Sequence, residues 1–139
     1  MGKTIRDIMT PEVIVADVAE PLRNAAERMA ARDVGSLPVA QDGKLVGMLT
    51  DRDIVVRAVA MGLDGQTPVR EVMTADIKYC YDDEDLTHVS RNMSELGVRR
   101  LPVVDREKRL VGMLALSNVA HAGENVATND MLQGVASPH

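Results

Sequence analysis

The 139-residue sequence predicts an α+β fold, two tandem copies of a β-α-β-β-α unit packed as a pseudo-two-fold pair around three-stranded sheets. Three observations lead there. IRDIMTPEVIVA (5–16) recurs as VREVMTADIKYC (69–80), with Arg6 on Arg70, Met9 on Met73 and Thr10 on Thr74. SLPVAQDGKLVGMLT (36–50) recurs in the same order as RLPVVDREKRLVGMLA (100–115), one residue longer in its turn. Apolar residues make up 45% of the chain, enough for a core. That core must be aliphatic, because there is no Phe or Trp, only Tyr79 and Tyr81, and nine Met.

Within the first copy, VIVA (13–16) is a short β-branched run that reads as a strand. Leu22, Ala25, Ala26 and Met29 then share one face at helical spacing, with Pro21 suited to a first turn. LPVA (37–40) and KLVGMLT (44–50) read as strands joined by Gln41-Asp42-Gly43, a hairpin signal. Ile54, Ala58 and Met61 mark an amphipathic helix ending near Gly62. The second copy offers Leu86, Val89, Met93 and Leu96 as its first helical face. MGLDGQTP (61–68) is the hinge, which divides the chain into copies 1–64 and 65–122 and a tail, 123–139, without sustained period. A three-stranded copy alone buries too little, so the two are expected to pack sheet to sheet with paired clefts.

Net charge is −5, which argues against a nucleic-acid face; that needs clustered positive charge. No apolar run approaches the roughly 20 residues of a membrane span, and the N-terminus lacks an apolar signal core, so a cytoplasmic location is expected. Cys80 is the sole cysteine, which suits a reducing compartment.

The stretch GMLTDRDI (47–54) concentrates polar groups where a strand passes into a helix. Two readings stand. Thr50 and Asp53 form a capping box, with acids at the positive end of the helix dipole. Alternatively, free N–H groups at the helix start attract phosphate while Asp53 accepts a ribose diol. One asymmetry favours the second: the other copy has Ala115 and Asn118 at these positions, with Ser117 one residue early, whereas capping alone would be served by the same residues twice.

The duplicated Leu-Pro-Val and Gly-Met-Leu motifs, with Gly47, Thr50 and Asp53 matching Gly-x-x-Thr-x-x-Asp, resemble the CBS domain pair, or Bateman module, over residues 4 to about 122. GMLTDRDIVVRAVAMGLD is similar, more narrowly, to the small stand-alone bacterial CBS-pair proteins. The resemblance implies a non-enzymatic regulatory sensor that binds AMP, ADP or ATP, with or without magnesium, in the cleft between copies. NADH and S-adenosylmethionine fit the same description. Asp53 would hold the ribose and Thr50 the ribose or phosphate. Val13, Ile14, Val15, Ser36, Leu37, Pro38 and Val39 would line the adenine slot through backbone groups, and Arg99 and Arg100 would face phosphate. Leu101, Pro102, Ser117 and Asn118 would form a second, weaker site. The resemblance also implies a homodimer through the helices and an unidentified protein partner. The alternative is a ligand-free dimerisation or protein-interaction module.

Other polar clusters read as structural. Asp82-Asp83-Glu84-Asp85 lacks the alternating spacing of a calcium loop and precedes a helix. His88, His121 and His139 form no zinc-ligand spacing with Cys80, and Ser117 with His121 lacks an orienting third group, so no metal site and no catalysis are expected. The methionines and Cys80 read as core.

Overall fold

The structure is a computed structural model that describes residues 2–115 and 117–119. It contains the three-stranded sheet twice. In the first, β1 (Ala16–Asp17) runs parallel to β2 (Ser36–Gln41), which pairs antiparallel with β3 (Lys44–Thr50). In the second, β4 (Cys80–Tyr81), β5 (Arg100–Val104) and β6 (Leu110–Ala115) repeat that order and those directions. Both central strands carry a bulge at matching positions, Val39/Ala40 and Val103/Val104. The first hairpin turns through Asp42 and Gly43, both at positive φ, the requirement that makes Asp-Gly a hairpin signal.

The two eleven-residue helices sit where the periodicity puts them, and each first strand is preceded by a short helical turn that it does not announce. The short α1 is Ile5–Ile8, α2 is Leu22–Arg32, and α4 is Leu86–Leu96. The helix α3 begins at Asp51–Asp53 and continues as a π-helical turn through Ile54–Val59; a 3-10 turn follows at Val69–Glu71. Leu22, Ala25 and Met29 are buried with Leu37, Val39, Leu49 and Ala58 in one core. Leu86, Val89, Met93, Leu101, Val103 and Leu114 form the other with Ile5 and Cys80. Among the described residues, no helix is long and apolar enough to cross a membrane.

The chain forms two compact units, one of Ile14–Ile77 and one joining the residues up to Val13 with those from Lys78 onward. These units are offset from the sequence copies 1–64 and 65–122. Each contains the segment that precedes the other copy's first strand. In the first unit Thr74 pairs with Met48 through two backbone bonds of 2.8 and 2.9 Å. In the second, Thr10 pairs with Met113 through two bonds of 2.9 Å. These straps explain two glycines. A Cβ on Gly47 would lie 2.6 Å from the Thr74 carbonyl oxygen, and one on Gly112 2.8 Å from that of Thr10.

Three expectations need correction. The first strand is Ala16–Asp17, not 13–16, because its pairing with β2 reaches only Val39 and Ala40; Val13 and Ile14 are half-buried and Val15 is exposed. Met61 is 70% exposed. Its helix turns with a five-residue bond from Ala60 N–H to the Val55 carbonyl, so the phase slips and the position three beyond Ala58 no longer faces the core. Leu96 is exposed because α4 ends at Gly97 in the left-handed conformation. Val98, bonded back to the Met93 carbonyl, packs on the core in its place. The second copy's last helix is described only over residues 117–119, and the expected tail lies outside the described residues.

Candidate functional site

Along β3, Leu45, Gly47 and Leu49 face inward and Thr50 emerges half-buried at the helix start. Thr50 is extended (φ −114°, ψ 161°), the conformation of an N-cap. Its Oγ1 accepts the Asp53 N–H at 3.0 Å, and Asp53 Oδ2 accepts the Thr50 N–H at 3.0 Å. The capping box is therefore closed on both sides. Asp53 is only 8% exposed. The Thr74 hydroxyl donates to it, 3.2 Å from Oδ1 and 3.3 Å from Oδ2. Arg57, one turn along, places Nε 3.8 Å from Oδ1 and donates through Nη1 to the Met73 carbonyl.

The expected free N–H groups at this helix start are not free. Asp51 N–H is bonded to the Gly35 carbonyl at 2.9 Å, Arg52 N–H to Asp51 Oδ1 at 2.8 Å and Asp53 N–H to Thr50. The corner saturates its own donors, which leaves the helix end unable to hold phosphate without giving up a cap.

The second corner repeats one side of that geometry with other atoms. Asn118 Oδ1 accepts the Ala115 N–H at 2.7 Å, and its Nδ2 donates to Thr10 Oγ1 at 3.1 Å. Asparagine thus does what the Asp53 carboxylate does for the backbone, with the polarity toward threonine reversed: Thr74 donates to Asp53, Thr10 accepts from Asn118. The second box closes on one side only, because Ala115 has no hydroxyl to accept the Asn118 N–H; on the side that both corners share, the asymmetry does not count against capping. What it changes is charge. Only the first corner carries a carboxylate.

Of the residues singled out from sequence, Thr50 and Ser36 are cross-strand neighbours, and Leu37 and Pro38 lie beside them on β2. Leu37 is 1% exposed and Val39 fully buried, backbone included, on the central strand of the sheet, so neither presents a surface to a ligand. Ile14 and Val15 belong to the same unit. Val13, Arg99, Arg100, Leu101, Pro102, Ser117 and Asn118 belong to the other. There Arg99, Arg100 and Ser117 are exposed, while Leu101 and Pro102 are buried. Arg52 is exposed too. Sequence reasoning missed Thr74 and Thr10 as site residues. Their signal was present in the recurring Met-Thr pairs at 9–10 and 73–74.

The acidic run is consumed locally. Asp82 meets Arg6 at 3.1 Å, Asp83 meets Arg106 at 2.7 Å, Glu84 accepts from Tyr81 N–H, and Asp85 caps α4 through His88 N–H. Arg106 also covers the Tyr81 ring at 4.1 Å. Cys80 is buried, and burial pushes its thiol up to about 12. No group of three or more metal-ligating side chains is assembled among the described residues; His121 and His139 lie outside them.

Paired sheets, repeated helices and a Thr-x-x-Asp corner agree with the family match, in which the CBS domain covers residues 5–59 and 69–125. The chain belongs to the CBS domain family, as a tandem pair. It is 41% identical over 117 residues to the CBS domain-containing protein YhcV of Bacillus subtilis, covering 84% of this chain and 83% of that one. It is 36% identical over 137 residues to Hypoxic response protein 1 of Mycobacterium tuberculosis, covering 97% and 95%. A crystal structure of the latter with two coordinated zinc ions superposes with a TM-score of 0.75 at 38% identity, over 86% of this chain and 98% of that one. CBSX2 in complex with AMP also reaches 0.75, at 30% identity, over 88% and 96%.

Proposed function

We propose that this chain is a non-enzymatic regulatory module that binds an adenosine ligand (AMP, ADP or ATP, a triphosphate with or without magnesium) at the Thr50–Asp53 corner. One observation carries the reading: an alcohol, the Thr74 hydroxyl, already spans both oxygens of the nearly buried Asp53 carboxylate. A ribose diol presents the same donor twice. It takes the place of Thr74 while the Thr50 N–H stays on Oδ2, so the carboxylate remains satisfied and the helix remains capped. The base then lies against the backbone of Ile14, Val15 and the start of β2, which suits a site without aromatics. The AMP complex of the related CBSX2 supports the ligand class. The neutral Asn118 corner is the weaker of the two.

The test is thermal denaturation with AMP, ADP, ATP and 2′,3′-dideoxy-AMP. A ligand at 100 times its dissociation constant stabilises the fold by about 2.7 kcal/mol. The dideoxy compound, without the diol, gives no comparable shift. Equal shifts from AMP and dideoxy-AMP refute the assignment of Asp53 to ribose.

A specific observation also favours the interaction-module reading, alone or combined with ligand binding. Val55, Val59 and Met61 are 59%, 67% and 70% exposed, and Val56 and Leu63 are exposed beside them. Val59 and Leu63 also line an apolar groove of about 210 Å³ with Leu22, Ala26, Ile54 and Ala58. Apolar patches of this kind mark association surfaces, and a second copy of the chain is the proposed occupant.

A further inference from the structure

Arg28, on α2, spans both ends of β1. Its Nη2 donates to the Val15 carbonyl at 3.0 Å and to Glu20 Oε2 at 2.6 Å. That same Glu20 oxygen accepts the Asp17 N–H at 2.7 Å, and the Glu20 carbonyl accepts the Val69 N–H at 3.0 Å. Arg28 Nε is buried with no hydrogen-bond partner. A buried donor left unpaired is disfavoured, and here the fold accepts one to keep Nη2 on two acceptors at once. Val15 itself lies outside the sheet, since the pairing with β2 begins at Ala16. No ladder bond reaches its carbonyl, which the guanidinium holds, while the Ala16 N–H on the other edge of that peptide belongs to the strand.

We infer that Arg28 is a positioning residue for base recognition: by holding the Val15 carbonyl it sets the backbone against which the adenine edge is read. The inference rests on the adenosine site proposed above. It adds a residue that never touches the ligand yet decides between bases. Because the Val15 carbonyl is engaged by Arg28, loosening it changes which donors and acceptors the Ile14–Val15 backbone offers. The Asp53 corner, made by different elements, keeps its grip on the sugar. Loss of Arg28 therefore degrades discrimination between bases rather than binding as such.

The experiment measures AMP and GMP affinities by calorimetry for the wild type, Arg28→Met and Arg28→Lys, with hydrogen exchange over residues 14–20. Arg28→Met keeps the aliphatic stem and removes every donor. It is expected to lower the AMP-over-GMP preference at least tenfold, through weaker AMP binding, and to speed exchange at Ala16 and Asp17. Arg28→Lys retains a donor for the Val15 carbonyl and recovers most of the preference. If Arg28→Met does not fold, Arg28→Leu, which also lacks every donor, is read the same way. A preference unchanged in these variants, AMP and GMP weakened by one common factor, or a wild type indifferent to the base overturns the inference while the sugar site stands. A wild type that binds neither nucleotide overturns the adenosine site itself.

Discussion

Asp53→Asn separates the two duties of that residue, and the chain supplies its own control. Asn118 occupies the equivalent place in the other copy, caps Ala115 N–H at 2.7 Å and meets Thr10 at 3.1 Å. An asparagine at 53 has the same options toward Thr50 N–H and Thr74, so the fold should lose no more than about 1 kcal/mol, the net worth of one hydrogen bond. The ligand loses far more. A hydrogen bond to a charged group contributes about 1.5–3 kcal/mol, so removing the charge weakens binding by roughly 10- to 150-fold. At a concentration of AMP giving about 2.7 kcal/mol of stabilisation in the wild type, a hundredfold weaker variant retains about 0.4 kcal/mol. Paired melting curves with and without AMP read this directly. A variant that keeps the full AMP shift refutes the carboxylate–ribose reasoning. One that unfolds refutes the equivalence of the two corners.

Gly47→Ala places a methyl 2.6 Å from the Thr74 carbonyl oxygen and strains the strap that holds Thr74, so urea denaturation should show a loss of about 1–3 kcal/mol; a midpoint unchanged from wild type would show that the strap yields freely. Val59→Asp should abolish any dimer seen by sedimentation, since it places a charge on the lining of the apolar groove, without altering a fold in which Val59 is 67% exposed. Cys80 should resist alkylation at pH 8 in the folded protein and react once urea unfolds it, because burial holds its pKa near 12. Arg106 beside Asp83 holds that carboxyl below its ordinary value. Its contribution to stability is therefore complete above about pH 4 and lost as pH falls through the lowered folded value. At low salt the melting difference between wild type and Arg106→Ala should close below that range, and a difference that persists at pH 2 would assign the effect to packing on Tyr81 instead.

The doubled architecture was legible because it is written in local periods and repeated strings: Leu-Pro-Val with Gly-Met-Leu gives the hairpins, Asp42-Gly43 gives a turn at positive φ, and Leu22, Ala25 and Met29 give a buried face. Thr50 and Asp53 were legible as a pair three residues apart, and the structure joins them. What escaped depended on partners remote in sequence. Thr74 reaches Asp53 over 21 positions and Thr10 reaches Asn118 over 108, through isolated bridges with no periodic signature. The length of the first strand depended on where its neighbour stopped pairing, and the exposure of Met61 on a phase slip of the helix, neither of which composition announces.

The straps give the chain an order of assembly. Residues 4–10 are made long before their partners: residues 4–6 bond to 82–85, and Thr10 to Met113 about a hundred positions later. The first half, meanwhile, is finished only when Thr74 arrives. A nascent chain stalled at residue 64 would hold an N-terminal arm without its berth and a sheet without its clasp, so a truncation at the sequence repeat boundary should yield two sticky, incomplete pieces rather than two small proteins.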